Sequence, residues 1–215
     1  MGSNFIYEKI ILIPALLIAF TFHEYAHAKM ADKLGDKTPR FQGRLTLNPA
    51  SHIDPLGALM ILLCGFGWAK PVQTNPHVYK NYYKDDLKVS LAGPLANFVV
   101  GIVGCFIWVI LLKVGYSTGL GSISVYSVIM DMFKVIFTLN ISLFIFNLLP
   151  VPGLDGFAVL RDLKPDTFYR ISESLYRYQY IILVVLLVAG GRIISIPVNM
   201  ICRFILKIAF AIIGL

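Results

Sequence analysis

Residues 23–27 read HEYAH. Two histidines four apart on a helix share one face, so His23 and His27 can hold one divalent cation between their imidazoles. Glu24 follows the first histidine, where a carboxylate can take a proton from a water activated by that cation. Zinc accepts imidazole and carboxylate ligands, and a catalytic zinc keeps one position open for water or substrate. The spacing therefore points to one Zn²⁺ and to hydrolysis. The plain alternative is a polar helix end with its histidines in water. The context speaks against it, because the motif closes the apolar run LIAFTF, and polar groups at membrane depth are costly unless they serve a site.

A catalytic zinc needs a third protein ligand. Glu173 is the one glutamate downstream, and it stands between Arg170 and Arg177, where an ion pair is the simpler role. His77 lies in a Lys-rich loop. Asp32 and Asp36 are too near the motif to fold back. Asp85 and Asp86 sit between lysines, and Asp131 is spaced to pair with Lys134 on one helix face. Two candidates remain on residue counting alone: Asp155 in PGLDG, and the pair His52 and Asp54 in NPASHIDP. Asp155 is better placed, since it follows an apolar span and sits among apolar residues. Its plain role would be a turn Asp before Gly.

The elements that must position these groups are membrane helices. The 215 residues are 57% hydrophobic and only 14% charged, against about 25% charged in ordinary soluble domains. The net charge of +7 does not argue for nucleic acid, because the Lys and Arg residues lie in short loops between apolar spans. Three scattered cysteines, Cys64, Cys105 and Cys202, form neither a disulfide framework nor a zinc knuckle. The expected fold is all-α: a polytopic helical bundle in the membrane, one domain over residues 1–215, with a catalytic core at about 8–165 and C-terminal helices at about 176–215.

Residues 10–22 are too short to cross a bilayer, which takes about 20 helical residues. Extension to residue 30 supplies the length and brings the motif inside the span. Segment 54–67 is apolar but short, with basic flanks on both sides, as expected of a re-entrant or partial segment. Residues 90–112 and 126–149 are full spans, joined by a nearly uncharged loop at 113–125. LLPVPGLDGF ends the second of these, and a basic amphipathic stretch follows at 161–177. Residues 178–215 offer two apolar stretches divided near Gly190, Gly191, Arg192 and Pro197. The basic loops 28–53, 68–88 and 161–177 should be cytoplasmic and 113–125 external. The first helix and the span 126–149 then both run inward, which brings HEYAH and Asp155 to one depth near the cytoplasmic side of the cell membrane.

HEYAH, GRLTLNPASHIDPLGAL, FGWAKPV, LAGPLANF and FNLLPVPGLDG, in this order, resemble the site-2 protease family of intramembrane zinc metalloproteases, in particular its small prokaryotic members without a PDZ domain. The resemblance covers about residues 15–165. It implies that Asp155 is the third zinc ligand and that Asn147 helps hold substrate or the developing oxyanion. It implies a substrate that is a single-pass membrane protein, cut in its transmembrane segment within the lipid bilayer, often to release a regulator. Segment 54–67 and its flanking loops, with His52 and Asp54, are expected to gate entry or to pair with unwound substrate. Two positions depart from the usual pattern: Gly153, where Pro is frequent, and Phe157, where a small residue is frequent. A metal-ion or proton transporter would be expected to show an inverted repeat, and none is found. A non-proteolytic zinc scaffold would have no use for Glu24.

Overall fold

The computed structural model describes residues 2–64, 67–188 and 190–214. Among these, the chain is helical throughout, with turns and short extended segments between helices and no strand. Among the described residues, four helices are long and apolar enough to cross a membrane, over Ile6–Lys33, Tyr82–Thr118, Ser124–Asn147 and Ile194–Ile213. The protein is a multi-pass membrane protein.

Helix α1 (Gly2–Lys33) carries HEYAH in its last third. Its buried face includes small residues, with Ala15, Ala19, Ala28 and Ala31 fully enclosed. Small side chains let neighbouring backbones approach closely, which is how helices associate where no water drives them together. After the single-turn helix α2 (Thr38–Phe41), helix α3 (Pro55–Cys64) has ten residues. At about 1.5 Å per residue it spans half of a bilayer core. Ile53 then bridges Ala69 in antiparallel fashion, and the Lys70 N–H donates to the His52 carbonyl at 2.9 Å. The chain enters and returns on one side, as expected of the re-entrant segment; residues 65 and 66 of that segment lie outside the described residues.

Helix α4 (Tyr82–Thr118) is longer at both ends than the expected 90–112. Apolar character marks the part in lipid, while the helix itself continues until Gly119 takes a left-handed φ of +74°. The expected loop 113–125 thus contracts to a short turn before helix α5 (Ser124–Asn147). In α5, Asp131 and Lys134 do not pair as their spacing predicts. The Tyr7 hydroxyl donates to Asp131 at 2.7 Å, and Lys134 lies over the Trp108 ring. Helices α6 (Asp155–Leu163), α7 (Pro165–Arg177), α8 (Gln179–Val188) and α9 (Gly190–Ile213) complete the chain. The expected division near Gly190 falls between α8 and α9, with Pro197 inside α9.

The apolar core lies among α4, α5 and α9, where Val109, Phe137, Ile141 and Ala209 meet Cys105 and Cys202. Both cysteines are free buried thiols; the side chain of Cys64 lies outside the described residues. Tyr7 meets Asp131 near the starts of α1 and α5, so these helices run parallel with α4 antiparallel between them. The end of α1, the beginning of α4 and the end of α5 therefore share one side of the bundle.

Candidate metal centre

His23 and His27 stand on the face of α1 that packs against α4. The closeness of that packing depends on Gly93, since a Cβ there would run into Nε2 of both histidines. Each ring then finds an acceptor on α4 for its far nitrogen. His23 Nδ1 lies 2.6 Å from Asn97 Oδ1, and His27 Nδ1 lies 2.7 Å from the Val89 carbonyl.

Asp155 arrives from the other direction. After α5 ends, the chain turns through Gly153 at φ +93°, a conformation closed to proline, so the departure at this position is a difference in backbone path. Gly156 lies against the Leu148 and Leu149 carbonyls, where no Cβ would fit. Helix α6 therefore starts directly beneath α5, with Asp155 in its first turn. Phe157, the second departure, is buried against Phe168 and Tyr176 of α7, with ring centroids at 4.7 and 5.2 Å. Further along α6, Arg161 pairs with Asp86 of α4 and with Asp162 at 2.8 Å. This staple anchors α6 to α4.

The result is a cluster of three ligand atoms. His23 Nε2 lies 3.1 Å from His27 Nε2, and Asp155 contributes Oδ2 at 3.2 Å from His23 and Oδ1 at 3.4 Å from His27. Tetrahedral zinc with bonds of about 2.0–2.1 Å separates its ligands by about 3.3 Å. The proton inventory agrees. The Val89 carbonyl can only accept, so His27 Nδ1 must donate. The Asn97 amide nitrogen donates to the Ala19 carbonyl at 3.1 Å, which turns Asn97 Oδ1 toward His23, so His23 Nδ1 must donate as well. A neutral imidazole has one N–H. Both Nε2 atoms therefore point lone pairs at each other and at a carboxylate, and Asp155 Oδ2 is buried without a hydrogen-bond donor. Converging lone pairs of this kind call for a cation. Two imidazoles and a carboxylate suit zinc, and the three residues fit one Zn²⁺ with a position left for water or substrate.

Glu24 is buried beside the cluster, where its Oε2 accepts the Val72 N–H at 2.8 Å. It lines a cavity of about 930 Å³ together with His23, His27, Asp155 and Asn147. Asn147 donates from Nδ2 to the Leu143 carbonyl at 3.0 Å, one turn back in its own helix.

His52 and Asp54 are not brought into the cluster. His52, a candidate ligand by residue counting, is instead fully buried away from the cluster, with Nε2 on the Thr46 carbonyl at 2.7 Å, because the returning segment at 69–70 closes over it. Asp54 Oδ1 accepts the Gly57 N–H at 2.8 Å and caps α3. Glu173 pairs with Arg177 in the open, as its spacing suggests. Residue counting missed Asn97, Asn140 and the Asp86–Arg161 pair. A signal existed for the two asparagines, since each is an amide flanked on both sides by apolar residues inside a span.

Fold and site together define a membrane-embedded zinc metalloprotease. Residues 11–190 match the model of Peptidase family M50, and the chain belongs to that family. Three relatives share the name "Putative zinc metalloprotease". YwhC of Bacillus subtilis is 39% identical over 86% of this chain and 85% of its own. Rip2 of Mycolicibacterium smegmatis is 31% identical over 83% of this chain and 67% of its own. MJ0611 of Methanocaldococcus jannaschii is 30% identical over 71% and 70%. No solved structure matches.

Proposed function

We propose that this metalloprotease hydrolyses peptide bonds in or beside the transmembrane segments of single-pass membrane proteins, in regulated intramembrane proteolysis, from a site near the cytoplasmic side of the cell membrane. The observation that carries the reading is the convergence of His23, His27 and Asp155 among helices long enough to span a bilayer. Zinc bound there supplies Lewis-acid chemistry, which activates water near neutral pH and polarises a carbonyl. His23, His27 and Asp155 are its ligands.

Glu24 acts as general base. Its Oε2 is held by the Val72 N–H, which leaves Oε1 to take the proton of the attacking water and pass it to the leaving amine. The products are a carboxylate and an amine, with one water consumed. Asn147 uses one amide hydrogen on Leu143 and has a second to offer the developing oxyanion. The loop around His52 and Asp54 supports the re-entrant segment, whose extended return at 67–72 lines the cavity in part and suits an unwound substrate. The basic loops favour a cytoplasmic placement of this side.

The test is reconstitution in lipid vesicles with a set of single-pass substrates, with cut sites read by mass spectrometry. Cleavage in or next to the transmembrane segment, abolished by chelator, is expected. Zinc-loaded protein that cuts only soluble peptides would overturn the proposal.

A further inference from the structure

Two asparagines inside the spans are neither metal ligands nor groups that touch the reacting atoms. Asn97 of α4 and Asn140 of α5 are both fully buried. Amides in such surroundings are costly unless each hydrogen bond is made. Here the bonds form a directed chain. Asn140 Nδ2 donates to the Ile136 carbonyl of its own helix at 2.8 Å. That contact fixes which way the Asn140 amide faces and turns its Oδ1 toward α4. Asn97 Nδ2 donates to that oxygen at 2.9 Å and to the Ala19 carbonyl at 3.1 Å. Asn97 Oδ1 is left facing His23 Nδ1 at 2.6 Å. Both anchoring carbonyls can only accept, so every link has one permitted direction.

We propose that Asn97 and Asn140 form an intramembrane amide relay that holds His23 in its metal-binding tautomer and orientation, with Asn140 acting through Asn97. Both are positioning residues. The inference rests on the zinc reading of the site. It adds that part of the metal affinity is set by α5, a helix that supplies none of the three ligands. Partners of this kind fix the tautomer and ring angle of a ligating histidine, and their loss typically costs 10–100-fold in affinity. Asparagines that only hold helices together would act differently: their loss would weaken the bundle and leave zinc affinity alone.

The test is zinc affinity of the full chain in detergent, measured against a chromophoric chelator in wild type, Asn97→Leu, Asn140→Leu and the double variant. Leu keeps the branched shape and the number of side-chain heavy atoms and removes both polar atoms. Asn97→Leu should weaken zinc binding about 10–100-fold, and Asn140→Leu by a smaller factor. In the Asn97→Leu background, Asn140→Leu should add nothing further, because the relay is already cut. In Co²⁺-loaded protein, the ligand-field bands should shift in both single variants. Wild-type zinc affinity in Asn97→Leu, with only the heat stability of metal-free protein lowered, would overturn the relay. So would equal factors for Asn140→Leu in both backgrounds. If Asn97→Leu does not fold, unchanged affinity and unchanged cobalt bands in Asn140→Leu suffice to overturn it. Wild-type protein that binds no zinc would instead sink the reading of the site itself.

Discussion

Glu24 and Asp155 carry carboxylates of opposite purpose in one cavity with the same two imidazoles. Glu24 is held by a backbone N–H and belongs to no ligand pair. Glu24→Gln keeps that hydrogen bond and loses the base. Peptide cleavage should fall by at least about 10²–10⁴-fold, with one zinc per chain retained by metal analysis. Loss of zinc along with activity would show that Glu24 is a ligand instead. Asp155→Ala should lower zinc affinity by at least the 10–100-fold seen for outer partners, whereas His52→Ala should keep its zinc, since His52 faces Thr46. Depleted metal in His52→Ala with full metal in Asp155→Ala would reverse the assignment. Gly93→Ala is the sharpest steric probe. One methyl group enters the space that both Nε2 atoms face, so zinc content should drop although no ligand changes.

At the scale of elements, α4 is the common support. It offers Asn97 to His23, Val89 to His27, and Asp86 to the arginine that anchors the Asp155 helix. Removing Arg161 leaves two buried carboxylates without their cation, and breaking a buried pair from one side costs roughly 3 kcal/mol or more. Arg161→Met should therefore lower stability to denaturant by about that amount and weaken zinc binding by loosening α6. The loss should depend on pH. Burial pushes the Asp162 carboxyl up even with Arg161 beside it. Without the guanidinium, its folded-state pKa rises further above the unfolded value. A carboxyl with a raised folded pKa favours folding as pH falls, so the deficit should be smaller near pH 5 than near pH 8. An equal deficit at both values would show that the pair contributes packing alone.

At the scale of the whole molecule, the exposed turn after α4 and the loops around the site lie at opposite ends of the bundle. Loop charge predicts that the first is external and the second cytoplasmic. Single cysteines at Thr118 and Lys80, both exposed, decide this in a cysteine-free background. An impermeant thiol reagent applied to intact cells should label position 118 and spare position 80. The reverse pattern would invert the protein.

Much of the outline was legible in the chain. The motif at 23–27, the apolar spans and the basic loops are local properties, set by residue type, spacing and the length a bilayer demands. They led to a helical membrane bundle with His23, Glu24 and His27 at one end of a span. Helix ends were less legible: α4 runs past its apolar stretch on both sides, because hydropathy records where lipid lies and Gly119 records where the helix stops. Asp131 took Tyr7 as partner in place of Lys134, since a residue from another helix competes with the neighbour one turn away. What tertiary structure alone decided is the set of contacts between residues far apart in sequence. It brought Asp155 to two histidines more than a hundred positions earlier, buried His52, and placed Gly93, Asn97 and Asn140 behind the ligands. Such choices depend on which faces of α1, α4, α5 and α6 meet. No single segment records that choice, because it is made by close packing and by the requirement that every buried polar group find a partner.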